Sequence, residues 1–345
     1  MAEPTDLPRV SAIVLAWLAE PLLRGSVEAI LASEKVDVEV VLVDNGCTTD
    51  DVEVLERLPR VTVVRPGRNL GFSGGCNAGA AVATGEYVAL VNGDAVVEPT
   101  TLARLVEELG PGGGAGQVGI AAGAVRLSED PTLLNSSGNV VHVLGMSWVG
   151  GFREKETRIA PTECAGAMGA LAVLTRAHWD RLGGFYEHYF AYHEDADISI
   201  RTWRMGLRVV NVPDAVAVHR YEFSRNPVKY YLVERNRLIF VSTLWSTRAI
   251  LLLAPALAGL ELAMVLLAAK QGWLRDKVRG WGWLWRHRRD LRVRRKAMRA
   301  EQTVPDRQWM RVLTAKLDTP LVEVPLRGPL NAVMAAYWRV VSKAL

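Results

Sequence analysis

The chain is poor in cysteine. Cys47, Cys76 and Cys164 are the only three in 345 residues. They are odd in number and widely spaced, with no C-x-x-C pair. This excludes a disulfide scaffold and a cysteine-based zinc site, and it suits a reducing compartment. Internal repeats are absent, which argues against a repeat architecture. The opening residues MAEPTDLPRV hold no basic segment, and the apolar run after them breaks at Glu20-Pro21, so a secretory signal is not expected. Disorder and a collagen-like chain are excluded by what is present, with 50% apolar and 23% charged residues. The length suits one large domain with an appendage, or two domains.

The net charge of +4 conceals an asymmetry. Between Lys270 and Arg299 stand twelve Lys/Arg against Asp276 and Asp290, a local balance of +10, which leaves −6 for the rest. A slightly acidic body joined to a concentrated basic segment implies an anionic partner for that segment, a membrane surface or a nucleic acid.

Up to about residue 125 short apolar runs alternate with helical patterns. Val10–Ala16 (VSAIVLA), Val38–Val43 (VEVVLV), Val61–Arg65 and Glu86–Val91 (EYVALV) read as strands. Leu22–Leu31, Asp51–Leu58, Ser73–Ala83 and Pro99–Leu109 read as helices. Runs apolar throughout, alternating with helices, indicate parallel strands covered on both faces, with ligands bound beyond their carboxyl ends. Asp44 and Asp94 fall at such ends. Gly110–Gly116 (GPGGGAG) is expected to be a flexible loop. Residues 117 to about 245 mix strands and helices.

Four features could carry chemistry. Asp94, beside Gly93 past a strand end, is placed to hold a divalent cation bridging a diphosphate; a turn aspartate is the alternative. In FAYHEDADISIRTWRMG, Asp197 and Arg201 have the spacing of a helical ion pair, which puts Glu194 and Asp195 at the helix entrance. One of these two acids could act as a general base, and the alternative is a capping cluster. His219, ending an apolar run, becomes a ligand candidate only if Asp94 lies close in space. Gly71-Phe72-Ser73-Gly74-Gly75 matches the G-x-S-x-G elbow of hydrolases, but Pro66-Gly67-Arg68-Asn69 separates it from the preceding strand. A Ser73 hydrolase is thus the weaker alternative.

Taken together, VVLVDNGCTTD (40–50), GRNLGFSGGCNAGAAVATGEYVALVNGDAVVEP (67–99), CAGAMGALAVLTRAHWDRLGGFYEHYFAYHEDADISIRTWRMG (164–206) and VAVHRYEFS (216–224) resemble the family-two glycosyltransferases of the GT-A fold. The likeness is strongest to the rhamnosyltransferase-like branch acting on bacterial surface polysaccharides. The resemblance implies an α/β fold, a Rossmann-like mixed sheet flanked by helices, with a C-terminal helical membrane-associating extension. It implies that Asp44 reads the donor's nucleobase, with Ala16 and Trp17 lining the same pocket. Arg68, Asn69, Gly71 and Asn77 would shape the nucleotide-sugar loop, and Gly166 and Met168 the loop beside the transferred sugar. Asp94 would be the last position of a D-x-D-type motif and bind Mn2+ or Mg2+ with the diphosphate, and His219 would complete that metal site. Asp195 would be the catalytic base, with Asn92 and Glu194 among the substrate-binding residues. Two positions depart from the family pattern: Asn92 stands at the first D-x-D position, and Gly-Phe-Asp-Glu becomes Gly184-Phe185-Tyr186-Glu187. The implied reaction is an inverting transfer from a nucleoside-diphosphate sugar to a lipid-linked saccharide. A non-catalytic membrane-bound binding module is the other reading.

Ala249–Ala269 is almost continuously apolar, interrupted by Pro255, Gly259 and Glu261, and as a helix it would be about 31 Å long. A single span would separate the basic segment from a catalytic part that needs cytosolic nucleotide sugars, so a re-entrant or in-plane arrangement is expected. Trp273, Trp281, Trp283 and Trp285 among arginines have the composition of an interfacial helix, and Leu274, Val278, Trp281 and Trp285 fall on one face. The expected organisation is a catalytic domain over 1–245, membrane-associating helices over 246–300, and a tail over 301–345 with an amphipathic helix at Asn331–Leu345. The cytoplasmic membrane face is the expected location, through residues 249–299. A homo-oligomer is compatible with the sequence. RVRRK (292–296) lacks a recognition fold around it, and no nucleic acid is expected.

Overall fold

The computed structural model describes residues 7–110, 117–220, 228–319 and 327–345. Residues 111–116 of the glycine-rich stretch and 221–224 of VAVHRYEFS lie outside them. The first part of the chain runs β1 (Arg9–Leu18), α1 (Leu23–Leu31), β2 (Asp37–Cys47), α2 (Asp51–Leu55), β3 (Val61–Val64), α3 (Gly71–Val82), β4 (Tyr87–Val91), β5 (Ala95–Val97) and α4 (Thr101–Leu109). It continues through β6 (Val118–Leu127), β7 (Leu134–Ser136), β8 (Asn139–Val141), β9 (Ser147–Val149), β10 (Thr162–Glu163), β11 (Leu171–Thr175), α5 (Arg176–Leu182), α6 (Glu194–Arg204) and β12 (Arg208–His219). Then follow α7 (Lys229–Leu244), α8 (Thr247–Gln271), α9 (Leu274–Arg286), α10 (Arg288–Glu301), α11 (Asp306–Trp309) and α12 (Arg327–Ala344).

Two compact units result. The first takes 1–139, 149–202 and 207–221, and the second 140–148, 203–206 and 222–345. The first is a mixed sheet in the order β10-β12-β6-β11-β4-β1-β2-β3. Strands β4, β1, β2 and β3 run parallel, as their continuous apolar composition requires when both faces are covered. Val10, Ala12, Ile13 and Val14 of β1 are all buried, as are Leu23, Val27 and Ile30 of α1 and Leu102, Leu105 and Leu109 of α4. Beyond β4 the direction changes, because β11 pairs antiparallel with both β4 and β6. The centre of the sheet is where the strands' carboxyl ends open a crevice.

Several element boundaries differ from the sequence reading; the tail helix, for one, spans Arg327–Ala344 rather than Asn331–Leu345. β2 runs on to Cys47, so Asp44 lies inside a strand, paired with Ala16, and the Asp44-Asn45-Gly46 turn signal does not stop it. α3 starts two residues early, at Gly71. α2 ends at Leu55.

In the second unit α7 packs with α9 and α10, and α8 with α9 and α12. Pro255 is accommodated inside α8, which runs unbroken for 25 residues. The helices are joined by a buried ionic cluster. Lys277 Nζ lies 2.7 Å from Glu234 and 2.9 Å from Glu261, and Arg237 contacts both acids at 3.2 and 2.5 Å. Glu261, the one acid of the apolar segment, is therefore held by α7 and α9, and Trp281 Nε1 also donates to it at 2.8 Å. Apart from the buried Ala249, Leu253 and Ala268, α8 is largely open, with Leu251, Leu262 and Leu266 exposed. It is the one helix among the described residues long and apolar enough to cross a membrane, by length and composition alone.

Candidate active site

His219 ends β12 and Asp94 follows β4 on the turn into β5. β5 pairs antiparallel with β12, placing Ala95 opposite His219. This register brings His219 Nε2 to 3.0 Å from Asp94 Oδ1, the proximity on which its candidacy depended. Asn92 Nδ2 lies 3.5 Å from the same nitrogen. The other ring nitrogen, Nδ1, is 2.9 Å from the buried Asn135 Oδ1. In the tautomer whose Nδ1–H gives to that oxygen, Nε2 presents its lone pair to the Asp94 carboxylate. Two acceptors facing one another suit a divalent cation, and the outward partner fixes the ring as for metal-ligating histidines. No group of three or more His, Cys, Asp or Glu stands together among the described residues. The pair therefore fits a cation held jointly with phosphate oxygens and water, as magnesium-type ions commonly are.

Glu194 and Asp195 open α6, where the exposed backbone N–H groups favour negative charge. Asp195 Oδ1 accepts from the Ala196 N–H at 2.7 Å and Oδ2 from Asn139 Nδ2 at 2.7 Å. Burial pushes the Asp195 carboxyl up, against these hydrogen bonds, which lower it. Burial and the neighbouring Asp195 charge push Glu194 up to about 8, and its Oε2 makes no hydrogen bond among the described residues. A carboxyl pair raised by burial, with the Asp195 charge adding to the rise in Glu194, is suited to proton transfer. The expected Asp197–Arg201 pair forms at 3.8 Å, and Tyr189 Oη donates to Asp197 at 2.9 Å.

The approach to α6 is strained. Phe190, Tyr192 and His193 all have positive φ, 65°, 70° and 73°, a conformation that costs non-glycine residues about 1–3 kcal/mol each. Surrounding contacts impose it. The Ser73 N–H donates to the Phe190 carbonyl at 3.1 Å, and the Asp197 N–H to the His193 carbonyl at 2.8 Å. Gly71, at φ +71°, makes the approach possible, because a Cβ there would lie 2.3 Å from the Phe190 carbonyl oxygen. The loop before α3 and the entrance of α6 are thus fitted to one another.

The other sequence-derived residues divide. Asp44 Oδ1 accepts from the Gly46 and Cys47 N–H groups at 3.2 and 3.0 Å, with buried Ala16 alongside in register and half-buried Trp17 near Gly46. Asn69 Oδ1 accepts from the Gly71 N–H at 2.7 Å, and Arg68 is exposed on the same loop. Gly166 and Met168 lie in the loop before β11. That loop reaches both centres, since the Asn92 N–H donates to the Ala170 carbonyl at 3.1 Å and a Cβ on Gly169 would lie 3.8 Å from that of Asp195. Asn77 faces elsewhere: it clamps Phe185, donating to its carbonyl and accepting from its N–H, both at 2.9 Å. Ser73 is fully buried in the first turn of α3, and its hydroxyl has no hydrogen-bond partner among the described residues. That overturns the hydrolase alternative, because an elbow serine must be exposed and touched by a base.

Three asparagines at these centres went unassigned in the sequence. Asn135 holds His219, Asn139 holds Asp195, and buried Asn45 donates to the Gly71 carbonyl and accepts from the Leu70 N–H at 3.1 and 2.8 Å. Asn45 carried the signal of the D-N-G motif; Asn135 and Asn139 carried none.

The Glycosyl transferase family 2 model matches residues 11–182. N-acetylglucosaminyl-diphospho-decaprenol L-rhamnosyltransferase of Mycobacterium tuberculosis is 28% identical over 225 residues, 58% of this chain and 72% of that protein. Succinoglycan biosynthesis protein ExoO of Rhizobium meliloti is 36% identical over 104 residues, 29% of this chain and 30% of that protein. Among solved structures, GalNAc-T7 with UDP, GalNAc and Mn2+ shares the fold with a TM-score of 0.57 at 16% identity, over 70% of this chain and 49% of that one. Mannosyltransferase PcManGT from Pyrobaculum calidifontis, in complex with GDP-Man and Mn2+, does so with a TM-score of 0.50 at 20% identity, over 99% of this chain and 88% of that one.

Proposed function

The chain belongs to glycosyl transferase family 2, and from that premise we propose that it moves a sugar, with inversion, from a nucleoside-diphosphate donor to a lipid-linked saccharide in surface-polysaccharide synthesis. The observation that carries this reading is the meeting of Asp94 with His219 at the sheet's carboxyl edge, joined through the 164–170 loop to the half-buried Asp195. Asp44, Ala16 and Trp17 form the nucleobase side, and the Arg68–Gly71 loop borders the donor. Asp94 and His219 would hold Mn2+ or Mg2+ together with the diphosphate. Bound there, the ion supplies neutralisation of the charge on the departing nucleoside diphosphate. Asp195 takes the proton of the acceptor hydroxyl as its oxygen attacks the anomeric carbon from the face opposite the leaving group. Rhamnose is the sugar the M. tuberculosis relative suggests.

The second unit supports attachment to the cytoplasmic membrane face. The open apolar faces are Leu251, Leu262 and Leu266 on α8, Leu274, Val278, Trp281 and Trp285 on α9, and Val333 and Val340 on α12. With Glu261 tied to Lys277 and Arg237, α8 and α9 form a hairpin that keeps this ionic cluster inside, while its apolar side and Arg275, Arg279 and Arg286 face outward. α9 carries too many cations to return across a bilayer, so the hairpin lies in the interface, where tryptophan and arginine are favoured.

The test is transfer by the full chain. With Mn2+, UDP-, dTDP- and GDP-sugars, and vesicles carrying polyprenyl-diphosphate-linked saccharides, wild type should form product and release nucleoside diphosphate. Asp195→Asn should lower kcat roughly 10²- to 10⁴-fold while keeping nucleotide affinity. Nucleotide binding by wild type without transfer to any acceptor would support the binding-module reading instead.

A further inference from the structure

Asp195 reaches its place with help from outside its own helix. Asn139, at the start of β8, is buried, and its side-chain amide has two N–H groups to give. One goes to Asp195 Oδ2 at 2.7 Å, the other to the Ala167 carbonyl at 3.0 Å. Its backbone pairs with Gly166 in both directions, N–H to carbonyl at 2.6 Å and carbonyl from N–H at 3.1 Å. Gly166 permits this closeness, since a Cβ there would lie 3.3 Å from that of Asn139. One residue therefore fixes the loop beside the proposed sugar site and one oxygen of the proposed base. The Ala196 N–H holds the other oxygen, so the carboxylate is fixed at both ends.

We propose that Asn139 is a positioning residue of the reaction: its amide orients Asp195 toward the acceptor hydroxyl and locks the 164–170 loop to that carboxylate. The assignment rests on reading Asp195 as the base. The chemistry requires a donor at this point. A neutral amide stabilises a carboxylate without competing for the acceptor's proton, and a hydrogen bond to a charged group is stronger than one between neutral groups. On its own helix Asp195 neighbours Glu194, whose carboxyl is raised by burial and by the Asp195 and Asp197 charges. From the other packed elements it meets the Asn139 amide and the Gly169 N–H, and the Cys76 thiol of α3 stands near Glu194. Asn139 and the Gly169 N–H are thus the groups from outside α6 that favour the ionised form.

Two readouts on the full chain test this. The first is an infrared titration of the protonated-carboxyl band that Asp195→Asn removes, with no ligand present. The second is kcat and donor KM against pH with the nucleotide sugar that wild type turns over. Removing the amide in Asn139→Ala should move both the band's midpoint and the acid limb of kcat upward by roughly one to two pH units. It should lower kcat about 10- to 100-fold at neutral pH, with donor KM within about twofold. Asn139→Asp keeps the shape but replaces the donor with a second acid, so it should move the midpoint further in the same direction. It also decides the matter if the alanine variant does not fold. An unmoved midpoint in folded Asn139→Asp, with Asp195→Asn inactive, overturns the role of Asn139 alone. Wild-type turnover by Asp195→Asn overturns the base assignment, and the positioning role with it.

Discussion

Asp94 and His219 come from distant parts of the chain and meet at 3.0 Å because β5 returns antiparallel along β12. Each has an ordinary structural explanation when taken alone; their meeting is what points to a cation. Glu194 offers a check in the free protein. Its carboxyl ordinarily titrates near 4.5 and is pushed to about 8 by burial and by Asp195. The folded state therefore holds this proton more tightly than the unfolded state. The associated stability is full below pH 4.5 and is lost as the pH rises through about 8. The melting temperature of wild type should fall between pH 6 and 9, and Glu194→Gln, which cannot ionise, should flatten that decline. A parallel decline in both proteins would contradict the assignment. At this scale the sequence singled out Asp94, His219 and the Glu194-Asp195 pair as candidates by their side-chain chemistry, and the family resemblance chose Asp195 as the proposed base. The sequence was silent where a neutral amide acts through a long-range contact. Asn135 and Asn139 look like loop asparagines until the fold delivers His219 and Asp195 to them.

The elements followed the sequence closely where periodicity and burial agree. The strands at Val10, Val38, Val61 and Tyr87 and the helices between them lie near the expected positions, since continuous Val/Ile/Leu runs leave no other arrangement for a doubly covered sheet. The departures have local causes. β2 continues through Asp44-Asn45-Gly46 because Ala16 of β1 pairs with Asp44 and extends the ladder. α3 begins at Gly71 because the Phe190 carbonyl satisfies the Ser73 N–H of its first turn. That contact yields a second prediction. Gly71→Ala must relieve both a positive φ and a 2.3 Å approach to the Phe190 carbonyl, so it should destabilise the fold by about 2 kcal/mol in urea titration. It should also weaken nucleotide binding, because the loop before α3 and the α6 entrance move together. A third prediction concerns the ionic cluster of α7, α8 and α9. Lys277→Met removes one of the two cations that Glu234 and Glu261 share and leaves Arg237 to balance both acids, so it should cost about 3 kcal/mol. A loss under 1 kcal/mol would show that the cluster is solvated.

On the scale of the whole molecule, a basic, tryptophan-rich segment over 270–299 carries +10 while the rest of the chain sums to −6, and that segment is the one proposed to meet the membrane. The extension's composition was plain in the sequence. The internal partnering of Glu261 with Lys277 and Arg237 needed the packing of α7 and α9. The full chain should bind vesicles containing anionic lipid more tightly than neutral ones, and added salt should weaken that binding. Leu266→Asp and Trp285→Ala should each reduce partitioning roughly tenfold without altering nucleotide binding. Equal partitioning of wild type and variants would remove α8 and α9 from the attachment surface.

The central claim is a metal-assisted nucleotide-sugar site built on Asp94 and His219. The most direct measurement is calorimetric binding of UDP, dTDP and GDP, with and without Mn2+, to wild type, Asp94→Ala and His219→Ala. Wild type should prefer one base and bind it more tightly with Mn2+, and both variants should lose that metal enhancement. Folded wild type that binds none of the nucleotides, or binds them equally with and without Mn2+, would contradict it.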